Sequence, residues 1–451
     1  MNFFKKGESD IKTILSRIRK KDYSGNTGLA IKNSAYQFST NLTSKLGALI
    51  FTIILARIIL PETFGLYNLA LSTIMFFYVF SDLGVNEALV YFSSKTLSNN
   101  KAKAKAYIDY LFKIKLFLAL FSAIALIALA KIISDNYYKQ PIFLALIAGS
   151  LYMIFTSLQS FYMALSQSNN NFRIPFIKEI FLQVSRIVVI PLVILYLKRF
   201  DFASSSNISV IFVILLIISI LSLFIIYFLS IKSLKLKEVK ASELSKKDIK
   251  ELRKFIFEIA LITSSITLLG NIDKIIIGPF VPPAFVGYYS AAFSLVNASA
   301  FLIVFSDVFF PIFLRMSGDK LKETFERSVR MTFFISFILF VILVIFATPL
   351  VKVIFGTSYE SSINMLRVLA FLSLIFPLIE LYTSYIISKG NLRKIKKVVL
   401  FILIISVFLP LLFVKLLLNY GYTAAVFGVI LGVLISKAIH LTCLIWISRK
   451  I

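Results

Sequence analysis

The 451-residue sequence predicts an all-α integral membrane protein of about twelve transmembrane helices, arranged as two parallel six-helix bundles with both termini cytoplasmic. Three observations predict it. Hydrophobic residues make up 59% of the chain and charged ones 16%, whereas a soluble domain is about 25% charged. Apolar runs of about twenty residues recur from residue 36 to residue 447, each long enough to cross a hydrocarbon core of ~30 Å. The third observation is an internal repeat at a near-constant offset.

The spans fall at roughly 36–58, 66–92, 106–130, 141–165, 175–197, 207–231, 255–277, 285–313, 329–354, 361–387, 396–418 and 422–447. Turn signals separate several of them: Pro61 to Gly65, Gly278 to Pro283, and Gly390-Asn391. Charge alternates with the spans. The N-terminal arm, the loops near 93–105, 166–178, 232–254, 315–330 and 389–397, and Arg449-Lys450 together carry 35 of the 49 basic residues. By the positive-inside rule that face is cytoplasmic. The same rule explains the net charge of +27 without a nucleic-acid partner. The expected organisation is a basic arm over 1–34, a first lobe over 35–231, a basic linker over 232–254 and a second lobe over 255–451. The arm reads either as an amphipathic segment on the inner leaflet or as a solvated tail, and no cleavable signal peptide is evident.

The repeat supports two lobes. Pro61, Gly65, Tyr67, Ala70 and Ser72 match Pro283, Gly287, Tyr289, Ala292 and Ser294 at an offset of 222. Val79-Phe80-Ser81-Asp82 recurs as Val304-Phe305-Ser306-Asp307, and Tyr162 with Asn171-Phe172-Arg173 matches Tyr382 with Asn391-Leu392-Arg393. Six spans is an even number, so the halves enter the membrane in the same direction, as in carriers with a parallel repeat.

Ionisable groups inside hydrocarbon face a cavity or a partner far more often than lipid. Asn41, Ser44, Lys45 and Thr52 share one face of the first span, and Ser264, Thr267, Asn271 and Lys274 share one face of the seventh. These stripes are expected to line a shared central cleft. Arg186, Arg367 and Lys437 lie mid-span and are read as cavity or ion-pair residues. Asp82, Asp273, Asp307, Glu380 and His440 are coupling or gating candidates, with bracing of the outer end of each half as the structural reading of Asp82 and Asp307. For Arg57 and the Asp273-Lys274 pair, snorkelling to the interface competes with lining a cavity, and Lys113 and Lys115 are expected to snorkel. The lone Cys443 excludes a disulfide framework and any cysteine-based metal site. No phosphate-binding loop, metal cluster or hydrolase triad is present, and the external loops are too short for a catalytic domain.

The run ILARIILPETFGLYNLALSTIMFFYVFSDLGVNEALVYFSSK (54–95) resembles the first-to-second-span signature of polysaccharide and oligosaccharide-lipid flippases. GNIDKIIIGPFVPPAFVGYYSAAFSL (270–295) is similar to the seventh-to-eighth-span signature of the same family, and FGTSYESSINMLRVLAF (355–371) to the approach to its tenth span. These flippases belong to the multidrug/oligosaccharidyl-lipid/polysaccharide (MOP) exporter superfamily. The resemblance implies two lobes around a cavity of alternating access in the cell membrane. It implies a polyprenyl-diphosphate-linked oligosaccharide as substrate, membrane lipid and glycan-assembly proteins as partners, and no cofactor beyond a coupling H+ or Na+. Lys45, Lys274, Arg186, Arg367 and Lys437 would supply positive charge for the diphosphate. A cation-coupled multidrug exporter of the same superfamily and a membrane glycosyltransferase or polymerase are the competing readings.

Overall fold

The computed structural model describes residues 25–197, 204–234, 239–302, 313, 316 and 318–450. Among the described residues there is no strand, and nine helices have the length and apolarity to cross a membrane. Helix is the economical answer in lipid, because it satisfies its own backbone N–H and C=O groups where no water can.

The first helical run, Gly25–Phe80, holds two of the expected spans and breaks at Leu60, whose φ of 64° and ψ of 168° leave the helical region. Its arms are α1 (25–59) and α2 (61–80). Phe51 and Tyr67 have ring centroids 6.5 Å apart, whereas sixteen residues of straight helix would separate them by about 24 Å. The chain therefore doubles back at Leu60-Pro61. Proline bars the helical conformation for the residue before it and suits the first turn of the helix after it.

The second expected span is interrupted as well. A turn at Ser81–Gly84, with positive φ at Leu83 and Gly84, divides α2 from α3 (Val85–Leu97). Next come α4 (Lys101–Lys131), ending in a wide turn over Ile132–Tyr138, then α5 (Phe143–Ser168), α6 (Arg173–Leu197) and α7 (Ser204–Leu234). The second half begins with α8 (Lys246–Leu269), opened by a capping box in which Ser245 and Asp248 satisfy each other's backbone N–H. It continues with α9 (Ile272–Ile277), α10 (Pro283–Leu302), α11 (Gly318–Ile345), α12 (Ala347–Ile354), α13 (Ser362–Leu369), α14 (Phe371–Ser388), α15 (Leu392–Leu417) and α16 (Tyr422–Arg449). Large apolar side chains such as Phe117, Ile124, Phe334, Ile404 and Phe408 are exposed on the outside of the bundle, the surface that lipid tails cover.

The core is joined at one end and divided at the other. Around the corner between α1 and α2, one continuous cluster gathers Leu55, Phe64 and Ile74 with Tyr289, Val351, Tyr359 and Val429, so both halves contribute. Toward the end carrying the termini, the described residues form two separate clusters. One joins Leu89, Tyr107, Leu111 and Phe161 of the first half with Leu252 of α8. The other joins Phe325, Tyr385, Ile395 and Leu444, all of the second half.

The basic segment leading into α8, together with the first turns of α8, is fastened to the first half. Lys103 Nζ donates to Asp248 at 2.9 Å, Lys105 Nζ to the Val239 carbonyl at 2.7 Å, and Arg253 to the Tyr110 hydroxyl at 3.1–3.2 Å. Phe255 stacks on Tyr91 with centroids 4.9 Å apart. The hydrogen bonds of Lys103 and Ser245 hold the Asp248 carboxyl down at about 2.

Lys115 corrects a sequence expectation. It does not snorkel: its side chain is wholly buried and its ammonium bonds Asp82, in the turn between α2 and α3. Lys113, on the other face of α4, is exposed. Asp307, the tetrapeptide around it and the first 24 residues of the N-terminal arm lie outside the described residues.

Candidate functional site

The repeated Pro-x-x-x-Gly element forms the seam between the halves. Helices α2 and α10 cross so closely that a Cβ on Gly65 would overlap the Pro283 carbonyl, and a Cβ on Gly287 would overlap the Pro61 carbonyl. The two contacts exchange under the 222-residue offset, so the seam is reciprocal, like an isologous dimer interface. Only glycine permits this approach of backbone to backbone. Around it, Arg57 Nε donates to the Ile354 carbonyl at 2.7 Å, and its guanidinium also donates to the Val353 carbonyl. Those carbonyls are at the C-terminus of α12, where a cation is favoured. Tyr359 donates to the Ala56 carbonyl at 3.0 Å, and Tyr137 to that of Ile275 at 3.0 Å. Gly278 leaves room for Tyr138 and Leu69. Every one of these contacts joins a first-half residue to a second-half residue.

Between the joined and divided ends, the polar residues fall into two clusters, one in each half. In the first, α1 meets α6. Asn41 accepts from Gln37 at 3.1 Å, Ser44 reaches Glu179, and Gly47 lies against Gln183. Glu179 accepts from Lys178 at 3.2 Å and from Gln183. One turn on, the Arg186 guanidinium lies 5.0 Å from the Phe51 ring centroid, and its Nε and Nη2 are buried with no hydrogen-bond acceptor. Thr52 is half-buried and Lys45 exposed.

The second cluster joins α9, α10 and α16. Asp273 accepts a short hydrogen bond from Tyr289 and lies 3.7 Å from the Lys274 ammonium. Lys274 lies 4.9 Å from the Phe293 ring centroid, and Lys437 6.0 Å from that of Phe376. Lys437 is close enough to Asp273 to feel its charge. His440, one turn further along α16, is buried and makes no hydrogen bond through either ring nitrogen.

The remaining candidates lie apart from both clusters. Arg367 is exposed on α13 and donates to Asn364 at 3.1 Å and Thr348 at 3.4 Å. Thr267 is exposed and returns its hydroxyl to the Thr263 carbonyl, Asn271 precedes α9 without a side-chain capping hydrogen bond, and Glu380 is exposed on α14. Asp82 serves the ion pair with Lys115. Sequence reasoning missed Glu179 and Gln183, although 179, 183 and 186 fall at steps of four and three and so share one helical face. It also left Tyr289 as a repeat marker, where the structure makes it the donor to Asp273.

Helical spans, a reciprocal seam at one end, a divided core at the other and polar clusters between them describe a multi-pass membrane protein. The polysaccharide biosynthesis protein family model matches residues 54–364, and the chain belongs to that family, as the sequence resemblance implied. It is similar to the capsular polysaccharide biosynthesis protein CapF of Staphylococcus aureus, with 24% identity over 84% of this chain and 91% of CapF. It is 28% identical to the teichuronic acid biosynthesis protein TuaB of Bacillus subtilis, over 27% of this chain and 26% of TuaB. In fold it resembles an inward-facing multidrug-resistance MATE transporter of the MOP superfamily, with a TM-score of 0.69, 12% identity, and 88% and 93% of the two chains covered. The lipid II flippase MurJ in an inward closed conformation aligns with a TM-score of 0.67 and 16% identity, over 92% and 87% of the chains. These structural neighbours are transporters and flippases, not enzymes.

Proposed function

We propose that this chain is a flippase that carries a polyprenyl-diphosphate-linked oligosaccharide across the cell membrane by alternating access. In this reading twelve spans form two parallel six-helix lobes, both termini are cytoplasmic, and the conformation seen opens toward the cytoplasm. The observation that carries it is the asymmetry of the core: joined around Gly65 and Gly287, divided toward the termini. A carrier closed on one face and open on the other has that form. The Arg186 guanidinium, whose Nε and Nη2 have no acceptor, offers donors to a diphosphate, and Lys274 and Lys437 add charge from the opposite lobe. The lipid tail would stay in the bilayer while the sugars pass between the clusters, with H+ or Na+ as the coupling ion and glycan-assembly proteins downstream.

The test is reconstitution. Purified protein in proteoliposomes should render a lipid-linked oligosaccharide in one leaflet accessible from the other, measured by lectin or enzymatic modification. Failure with capsule-type and wall-type precursors alike would sink the proposal. The MATE fold favours a second reading, a cation-coupled multidrug exporter. Ion-driven dye efflux that disappears in Asp273→Asn, with no lipid movement in the same vesicles, would establish that reading instead.

A further inference from the structure

A second polar site lies outside the central clusters, at the end carrying the termini. A cavity of about 370 Å3 opens where the start of α1, the turn between α5 and α6 and the end of α7 meet. Among the described residues its walls carry two cations, Lys32 and Arg173, and no carboxylate. Asn170 holds φ at +55°, a left-handed conformation that asparagine tolerates well. The turn so formed delivers Arg173 as the first residue of α6. The N-terminus of a 25-residue helix, with backbone N–H groups that no preceding turn accepts, therefore opens beside the cavity. The floor is fixed: Asn169 and Asn171 both donate side-chain N–H groups to the Ser233 hydroxyl, at 3.1 and 2.9 Å. At the rim, Leu29 is 42% exposed, and Phe38 further along α1 is 56% exposed. Cations, amides and a helix N-terminus thus sit directly beside exposed apolar surface, at the level where four membrane-spanning helices begin or end.

We propose that this cavity binds a phosphate-bearing headgroup whose acyl or prenyl tail lies along the exposed face of α1. Arg173 engages the phosphate oxygens through its planar fork, Lys32 adds charge, and the first turn of α6 donates backbone N–H groups. Among the described residues, no carboxylate on the cavity wall opposes the anion. The assignment does not rest on the cargo or direction of transport.

The test uses the full-length protein in detergent, with dihexanoyl phosphatidylglycerol and dihexanoyl phosphatidylcholine followed by native mass spectrometry and inorganic pyrophosphate followed by calorimetry. Phosphatidylglycerol is expected to bind in preference to phosphatidylcholine. The Lys32→Gln/Arg173→Gln variant should weaken that binding at least tenfold, Arg173→Lys should weaken it less, and Arg393→Gln, the repeat counterpart, should not change it. Pyrophosphate binding with the same dependence on Lys32 and Arg173, and no lipid binding, would assign the site to a free diphosphate and overturn the headgroup source. Equal binding of both lipids, or binding unchanged in a correctly folded double variant, would overturn the site altogether. Circular dichroism and size-exclusion profiles of the variants establish folding.

Discussion

The two ends of the molecule are built on opposite principles. At the seam, α2 and α10 meet backbone to backbone through Gly65 and Gly287, with little side chain between them. At the divided end the described residues form two aromatic cores that do not join each other: Phe92, Tyr107 and Phe161 with Leu252 and Phe255 of α8 on one side, Phe325 and Tyr385 stacked at 3.9 Å on the other. A backbone contact depends on shape, so it holds or is lost as a unit. A side-chain core can be completed on one side of the division, as the first is by α8, without contact with the other core. An element meant to open and close suits the first design, and a body meant to move rigidly suits the second.

The largest effect should come from breaking the seam. Gly65→Leu, or Gly287→Leu, should lower transport more than about tenfold while leaving each lobe folded, since a buried overpacking is relieved by parting the lobes. In a Cys443→Ser background, the buried Ser72 replaced by cysteine should then label with an impermeant maleimide from the side opposite the termini. Unchanged labelling would mean that the seam is not the closing contact.

Next is a change inside one lobe. Lys115→Ala leaves Asp82 without its partner and should cost about 3–5 kcal/mol of folding stability. The matched pair Asp82→Asn/Lys115→Met should recover most of it in thermal unfolding of the purified protein. If Lys115→Ala melts like the parent, the ion pair is not structural.

Arg186→Gln tests the cluster between the ends. Transport should fall by about tenfold, a loss of ~1.4 kcal/mol of transition-state binding, with membrane abundance unchanged. A parallel drop in abundance would instead make Arg186 a packing residue against Phe51.

The smallest effect belongs to the strap formed by residues 239–256, which runs into the first turns of α8. Asp248 is held at about 2, below the ordinary carboxylate value of about 4. A depressed carboxylate contributes at pH above its unfolded value and loses that contribution as pH falls through the folded one. Docking of the strap is thus complete at neutral pH and weakens from about pH 4 toward pH 2. Asp248→Asn should remove this acid dependence and lower stability by roughly 0.5–1 kcal/mol, as expected for a solvent-screened pair near the surface. Hydrogen exchange over 239–256 is the direct measurement, and equal protection in parent and variant would show that the apolar contacts of Leu252 and Phe255 hold the strap alone.

The helices and the seam were legible because they are written in short-range or periodic signals. Twenty-residue apolar runs mark spans, and Pro61, Gly65, Pro283 and Gly287 mark corners. The repeat located the seam residues without showing that the two copies touch each other. Lys115 was misread because distance along the chain from a basic loop stands in poorly for depth. Its partner is on another helix, and the helix break at Ser81–Gly84 that exposes Asp82 to it has no proline to announce it. The polar stripes on the first and seventh spans were visible, but their partners came from α6, α10 and α16. Those pairings belong to tertiary packing, which periodicity does not encode. Arg367 looked mid-span only because the short helices α12 and α13 bring it to a surface that a straight helix would not have.

The reciprocal seam also constrains how the two halves can change over time. Each glycine faces a proline carbonyl of the other copy, so a side chain gained at 65 presses on Pro283 and one gained at 287 presses on Pro61. Relief in either case requires movement in the opposite half. The two copies can drift apart in their polar clusters, where Arg186 and Lys437 have no counterpart at the matching position. At this corner they remain bound to a common ancestral shape, each serving as the mould for the other.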